Sequence, residues 1–350
     1  MNLKNSQIIL FGFLVRLANS FYGSFVGTAL GSTADSSSFH FRATNRWYHL
    51  SSDKYESIFR GDSFLLDGAQ VYIKILDLIY NITIPHIFVG SLLSCVVWYF
   101  SAKILIKVFY ILRITKTNQR KILLIYSFLP SSIIFCSIPL REPFQLFFVN
   151  YLALLFLKIN FLKKDIIINT FLVFITCYLL SSLHYSFLFS SLIMILILIF
   201  LYFYENLKSN VAIVFAISIL VIISINVFNT VFSMLYEYQL TEAINSFNEG
   251  SSNADTRALY RRITNISSLT DLFLFIPSSF FQYMLEPLPT RISSLFDLIL
   301  FFENLFKMIL LLKGLWSLIK YYFFKPQIII ILYFLIIELI WSVGTTNWGT

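Results

Sequence analysis

The chain has 350 residues and a net charge of +8; 58% of its residues are hydrophobic and only 13% are charged, about half of the charged share of soluble domains. A soluble protein of this length cannot bury so much apolar surface, because its exterior needs more polar groups than this sequence contains. The composition therefore excludes a disordered chain, a nucleic-acid-binding protein and a soluble enzyme. It predicts an all-α, polytopic membrane protein.

Nine apolar runs are long enough to cross a bilayer, which takes about 20 mostly apolar residues. In chain order they lie near 7–30, 86–111, 122–139, 143–161, 166–184, 186–204, 210–233, 293–316 and 326–344. Two further stretches, 64–83 and 267–285, carry acidic residues or proline and are predicted to be interfacial or re-entrant, with eleven spans as the alternative. The prediction is a single integral membrane domain over 1–350, a bundle of 9–11 transmembrane helices.

The short loops at 111–121, 158–165, 205–209 and 313–325 are rich in lysine and arginine, so they are predicted to face the cytoplasm together with the N-terminus. The first outer loop is then 31–64, and a large outer loop covers 234–292. Few lysines lie outside, whereas eight arginines do: Arg42, Arg46, Arg60, Arg141, Arg257, Arg261, Arg262 and Arg291. A planar guanidinium binds phosphate oxygens in pairs, so these arginines indicate an outer site for a phosphorylated ligand; salt bridges within the loops are the alternative.

The first outer loop begins with Asp35, a carboxylate just past a membrane helix that can orient or deprotonate a sugar hydroxyl. On a helix, Asp35, Phe39, Arg42 and Arg46 are predicted to share one face through their three- and four-residue spacing. The alternative is that Asp35 only caps a helical turn.

Arg141 and Glu142 are adjacent where two apolar runs meet, after the segment that begins Pro130-Ser-Ser. Ionisable residues at membrane depth are costly and are therefore candidate functional residues. The alternative is a hairpin turn in which Arg141 reaches the interface and Glu142 starts the next helix. His184 lies where another span reaches the outer surface, and it is either a base or phosphate ligand or a structural residue.

The large outer loop contains Arg257, Tyr260, Arg261 and Arg262. Arg257 and Arg261 stack on one helical face, which predicts a diphosphate clamp; an amphipathic helix on lipid headgroups is the alternative. Within the spans lie Arg16 and Glu338, for which mutual pairing and a structural interhelical contact are both open. The three cysteines, Cys95, Cys136 and Cys177, lie in apolar runs and are predicted to be buried, and no metal site is expected.

The order of these landmarks resembles the bacterial O-antigen polymerases (Wzy-like) and the related EpsG-like and capsule polymerases, membrane glycosyltransferases of the GT-C type. The resemblance rests on Asp35-x-x-x-Phe39, Pro130-Ser-Ser to Arg141-Glu142, His184-x-Ser186, Arg257 to Arg262, Glu286-Pro287-Leu288-Pro289 and Gly344-Thr-Thr-Asn347. One departure is Thr290, where relatives often have tryptophan.

The resemblance implies polymerisation of undecaprenyl-pyrophosphate-linked repeat units at the periplasmic face of the inner membrane. Arg42, Arg46, Arg141, Arg257, Arg261 and Arg262 are expected to bind the pyrophosphate, and Asp35, Glu142 or His184 to act on the acceptor hydroxyl. The implied partners are the lipid-linked glycan, membrane lipids and a chain-length regulator protein, with no cofactor and no metal. A transferase with a lipid-phosphate sugar donor and a flippase of lipid-linked glycan are the alternatives.

Overall fold

The computed structural model describes residues 4–27, 33–44, 69–184, 186–203, 241–242, 244–245, 266–320 and 325–344. All regular structure in these ranges is helical. The helices are α1 Asn5–Phe25, α2 Thr33–Thr44, α3 Ala69–Ile82, α4 Ile87–Ile111, α5 Lys116–Phe128, α6 Pro130–Phe135, α7 Glu142–Leu157, α8 Ile166–Leu183, α9 Ser186–Phe203, α10 Leu269–Leu285, α11 Leu295–Lys320 and α12 Lys325–Gly344. The predicted all-α class is therefore confirmed for this part of the chain.

Within the described ranges, four helical segments are long and apolar enough to cross a membrane: Asn5–Phe25, Ile87–Ile111, Glu142–Leu162 and Ile166–Leu183. They correspond to the predicted spans near 7–30, 86–111, 143–161 and 166–184. The third consists of α7 and a π-helical extension, Lys158–Leu162. The described part of the chain is thus all-helical and contains several segments that are able to cross a membrane.

The single helix predicted over 122–139 is wrong. The chain forms α5 and α6 instead, with an extended Leu129 between them. Pro130 explains this break, because proline has no N–H to donate and disfavours helical backbone in the residue before it. An irregular turn at 136–141 then leads into α7.

The remaining predicted segments that the structure describes also contain helices. The runs at 186–204, 293–316 and 326–344 correspond to α9, α11 and α12, and those at 64–83 and 267–285 contain α3 and α10. The run at 210–233 and most of the two outer loops lie outside the described residues. How many of these segments cross the membrane stays a prediction.

The chain divides into two compact units, Met1–Leu188 and Phe189–Thr350. In the first unit, α4 packs against α1 and α7, α7 packs against α8, and α2 packs against α3. Gly12 permits the close approach of α1, because a Cβ there would lie 2.8 Å from both Ser127 Cβ and Trp98 Cη2. In the second unit, α10 packs against α11 and α12.

Candidate functional site

One hydrophobic cluster in the first unit brings together the ends of several elements. The Tyr72 cluster consists of buried residues from α2, α3, the 136–141 turn and the end of α8: Phe39, Ala43, Tyr72, Ile73, Leu76, Tyr80, Ile138, Leu140 and Leu183. Asp35 lies on α2 and Arg141 ends the turn, whereas Glu142 begins α7 and His184 directly follows α8. Four predicted site residues therefore lie on, or directly next to, elements that share one packed core.

Arg141 is the residue immediately before α7, and it is partly buried. Its Nη1 donates to the carbonyl of Leu183 at 3.2 Å. Leu183 is the last residue of α8, where backbone carbonyls lack partners within their own helix. This is the one hydrogen bond of the Arg141 side chain within the described ranges, so Nη2 and Nε remain able to donate to an anion.

Glu142 begins α7, where the helix dipole favours a negative charge. The charge of the Glu142 side chain is attracted by Arg141 and repelled by Asp35. Both residues therefore lie within electrostatic reach of Glu142. Glu142 Oε2 is buried and has no hydrogen-bond partner among the described residues. Gln145 lies three residues further along the same helix. Its Nε2 is also buried and has no hydrogen-bond partner among the described residues. The first turn of α7 thus presents one acceptor and one donor for a ligand or water.

His184 lies in the link between α8 and α9, just past the end of the α8 span, and is 6% exposed. Its Nδ1 accepts the backbone N–H of Ser186 at 3.3 Å and lies 2.6 Å from Ser186 Oγ. Burial, with a smaller contribution from the positive charge of Arg141, lowers the pKa of His184 to about 3. The imidazole is therefore neutral at physiological pH, which argues against a role as a cationic phosphate ligand.

Asp35, Phe39 and Arg42 lie on one helix, α2, so their three- and four-residue spacing places them along one side of it. In α2, Phe39 and Ala43 point into the Tyr72 cluster, and Ser36 is also buried, whereas Asp35 and Arg42 are exposed. Asp35 lies in the first turn and Arg42 in the last. The apolar side chains decide this orientation, because α2 contributes its apolar side to the core.

The other predicted arginine ligands, Arg46, Arg257, Arg261 and Arg262, lie outside the described residues, as do Arg60 and Tyr260. Their proximity to Arg141 stays a prediction.

Arg291, one of the eight outward arginines, has a structural role in the second unit. Its Nη1 donates to Glu286 Oε1 at 2.9 Å, and Glu286 is completely buried. Glu286 Oε2 accepts the backbone N–H of Leu288 at 2.9 Å, and Asn304 Nδ2 donates to the carbonyl of Glu286 at 2.6 Å. The Glu286-Pro287-Leu288-Pro289 landmark is thus part of a hydrogen-bonded turn between α10 and α11.

The two intramembrane charges each have partners in their own unit. Arg16 contacts α5, α6 and Trp98, and Glu338 accepts from Lys307 Nζ at 2.8 Å. The sequence left open mutual pairing of Arg16 and Glu338 or a structural contact between helices for each. The observed contacts are of the second kind. The predicted burial of Cys95, Cys136 and Cys177 is confirmed, and the described residues contain no group of three or more potential metal ligands.

Sequence reasoning missed Gln145 and Tyr72. Tyr72 is fully buried on α3 and lies within electrostatic reach of Glu142. Gln145 was detectable as a polar residue three positions after Glu142 in a mostly apolar helix, since that spacing places both on one face. Tyr72 gave no such signal, because a tyrosine within an amphipathic stretch is most often a core residue.

The site combines a guanidinium with unused donors, two carboxylates and a neutral imidazole. A guanidinium binds a phosphate or pyrophosphate, and a carboxylate or a neutral imidazole accepts a proton from a hydroxyl group. The described residues thus form a helical fold with helices long and apolar enough to cross a membrane and with polar residues at helix ends. No protein-family model, curated protein or solved structure matches the chain.

Proposed function

We propose that the protein is a glycosyltransferase that polymerises undecaprenyl-pyrophosphate-linked oligosaccharide repeat units, as O-antigen or capsule, at the periplasmic face of the bacterial inner membrane. The observation that carries the proposal is the Arg141 guanidinium, which has unused donors and lies within electrostatic reach of Glu142 and His184. The proposal includes a bundle of 9–11 spans with the N-terminus in the cytoplasm and a large periplasmic loop.

In the proposed reaction, a hydroxyl oxygen of the acceptor repeat unit attacks the anomeric carbon of the donor glycan. A new glycosidic C–O bond forms, the bond between the anomeric carbon and the pyrophosphate oxygen breaks, and undecaprenyl pyrophosphate leaves. The hydroxyl proton goes to a base, for which Asp35, Glu142 and His184 are the candidates. Arg141 stabilises the charge that develops on the pyrophosphate, and we extend this role to Arg42, Arg46, Arg257, Arg261 and Arg262.

Side-chain chemistry supports the assignment of Arg141 to the leaving group. One nitrogen of the guanidinium is bonded to Leu183, which orients the group while leaving other donors for phosphate oxygens. A lysine at this position keeps the charge, but it cannot donate to Leu183 and to two phosphate oxygens in the same planar geometry. We therefore expect Arg141→Lys to impair polymerisation, although the net charge is unchanged.

The test uses cells that lack the gene, complemented with the wild type, Arg141→Lys, Arg141→Ala or Arg113→Lys, and displays the surface polysaccharide on a gel. Arg113 is exposed in the predicted cytoplasmic loop at 111–121, so Arg113→Lys is the matched control. We expect a full ladder from the wild type and the control, and a single-repeat band from both Arg141 variants. Western blots of membranes must show equal amounts of each variant.

Three outcomes contradict the proposal. An unchanged ladder in the deletion strain excludes a polymerase. Loss of all glycan, including the single-repeat band, indicates a flippase or an earlier transferase instead. A normal ladder from both Arg141 variants removes Arg141 from the site.

A further inference from the structure

The break between α5 and α6 creates a local hydrogen-bonding problem. Leu129 has an extended backbone (φ −60°, ψ 121°), and Pro130 has no N–H to donate. The last carbonyls of α5 therefore lose their usual donors, apart from Ile125, which accepts the N–H of Leu129 at 2.9 Å. At membrane depth, such groups need a partner within the protein, because no water replaces it.

Arg16 supplies donors at this break. Its Nη1 donates to the carbonyl of Ser127, in the last turn of α5, at 2.8 Å, and to Gly12 in its own helix at 2.9 Å. Its Nη2 donates to Ser132 Oγ, in α6, at 2.7 Å. One guanidinium from α1 therefore bonds to both sides of the break.

The enclosure of Arg16 is specific for a guanidinium. Arg16 is completely buried, and its Cζ lies 3.6 Å from the centre of the Trp98 ring, so a cation–π contact covers one face. Its oxygen acceptors among the described residues are carbonyls and a hydroxyl, and none is a carboxylate. An ammonium group has no planar fork with which to span Ser127 and Ser132.

The consequence extends to the candidate site through a short segment. Cys136, directly after α6, lies beside both Arg16 and Ser132. The 136–141 turn that follows ends at Arg141, and its Ile138 and Leu140 pack in the Tyr72 cluster. The geometry at the break therefore determines where the chain enters this turn.

We propose that Arg16 is a positioning residue that holds the α5–α6 break and thereby orients the Arg141–Glu142 pair; its catalytic consequence rests on the proposed function. Arg16 does not touch the substrate. It acts through Ser127, Ser132 and the turn.

The first experiment measures the geometry without any assay of activity. Cys95 and Cys177 are replaced by serine, so that buried Cys136 is the remaining thiol, and its labelling rate with a small maleimide is followed in detergent. We expect labelling roughly tenfold faster in Arg16→Met and in Ser132→Ala, the factor that corresponds to losing one hydrogen bond to a charged group. Ser132→Ala removes only the Ser132 hydroxyl and keeps Arg16, so it remains informative if Arg16→Met does not fold.

Lys307→Met is the control, because Lys307 also forms a polar contact between helices, but in the second unit. We expect its Cys136 labelling rate to equal that of the parent. Unchanged labelling in Ser132→Ala and in folded Arg16→Met contradicts the proposal. Equally fast labelling in Lys307→Met contradicts it too, since it shows general loosening.

The second experiment tests the catalytic consequence with purified protein and a lipid-linked repeat unit. Arg16→Met is expected to lower kcat about tenfold with little change in KM, and to lower it much less when Arg141 is already lysine. Lys307→Met should lower activity by the same factor in both backgrounds. Full additivity of Arg16→Met with Arg141→Lys contradicts a positioning role.

If the wild type makes no polymer, the proposed function fails, whereas the Cys136 labelling still decides whether Arg16 holds the break.

Discussion

Individual polar side chains in the first unit are mostly bonded to backbone carbonyls of their own helix. Ser94 donates to Gly90, Thr176 to Leu172 and Ser181 to Cys177. Such bonds satisfy a hydroxyl within an apolar helix without requiring a partner on another helix. Arg16 and Asn150 differ, because each bonds to side chains or carbonyls of other helices.

The neutral state of His184 has a consequence for stability. Its pKa of about 3 in the folded protein lies below its ordinary value of 6.5, so the folded state resists protonation that the unfolded state accepts. The contribution of neutral His184 is therefore fully present above about pH 6.5, and it is lost progressively as the pH falls toward 3.

We expect the thermal midpoint of the wild type in detergent to fall more between pH 7.5 and pH 4.5 than that of His184→Gln. Glutamine cannot be protonated in this range, so the variant lacks this component of the pH dependence. Equal pH dependence in the wild type and His184→Gln would show that His184 is not held neutral by burial.

Gly12 allows a test of close packing at a single residue. Alanine there gains about 1 kcal/mol of helix propensity, but its Cβ would lie 2.8 Å from Ser127 Cβ and Trp98 Cη2. Overpacking of this kind costs about 1–3 kcal/mol, and the nearby atoms belong to a short side chain and a rigid ring. We expect Gly12→Ala to lower the free energy of unfolding in detergent.

Gly314→Ala is the matched control for Gly12→Ala. A Cβ at Gly314 would meet Ile331 Cδ1 at 3.7 Å, which is an ordinary van der Waals distance. This variant should be neutral or more stable by up to about 1 kcal/mol, since only the helix propensity changes. A stabilised Gly12→Ala would show that α1 can move away from α5 at little cost.

At the scale of helices, a buried polar network connects α4, α5 and α7. Asn150 Nδ2 donates to Ser101 Oγ at 2.9 Å and to the hydroxyl of Tyr126 at 3.2 Å, and these two hydroxyls are 2.9 Å apart. Association of helices in a membrane depends on such bonds and on close packing, because lipid is as apolar as the helix surface. The network is therefore a specific connection among three helices.

We expect a double-mutant cycle of Asn150→Ala and Ser101→Ala to give a coupling free energy of about 0.6–1.7 kcal/mol, the range of interhelical hydrogen bonds in membrane proteins. The measurement is reversible unfolding in mixed detergent micelles. Asn150→Ala combined with Thr176→Val is the control, because Thr176 donates to Leu172 in its own helix. Coupling as large in the control pair would mean that the cycle reports a global change instead of the Asn150–Ser101 bond.

The helix break is a feature that hydropathy alone cannot detect. The window over 122–139 is apolar throughout most of its length, so it resembles one span. Pro130 interrupts it, and one of the resulting carbonyls, that of Ser127, accepts from Arg16, which is more than 100 positions away in sequence. Only a tertiary contact decides between a kinked span and two separate short helices.

For the whole molecule, the predicted orientation can be tested by labelling single cysteines in cells. Exposed Ser38 lies in the first predicted outer loop, and exposed Asn118 lies in the predicted cytoplasmic loop at 111–121. In a background in which the three native cysteines are replaced, a membrane-impermeant maleimide should label Ser38→Cys and leave Asn118→Cys unlabelled. Permeabilised cells should allow labelling of both, and the reverse pattern in intact cells would invert the topology.

Composition alone establishes that this is a helical membrane protein, because hydropathy accumulates over about 20 residues and needs no tertiary information. The burial of Cys95, Cys136 and Cys177 follows in the same way. The sequence pattern also indicated Arg141, Glu142 and His184 as candidate functional residues, because polar residues at the ends of apolar runs are rare in a sequence this hydrophobic.

Only the tertiary structure decided which of these groups meet and in which state. Because Phe39 packs in the Tyr72 cluster, α2 is oriented so that Asp35 and Arg42 are exposed. Burial of His184 determines its charge. Arg16 donates hydrogen bonds to carbonyl groups and not to a carboxylate. Hydropathy is a local sum, whereas hydrogen-bond partners and desolvation depend on residues far apart in the chain, and this is why no window of the sequence specifies them.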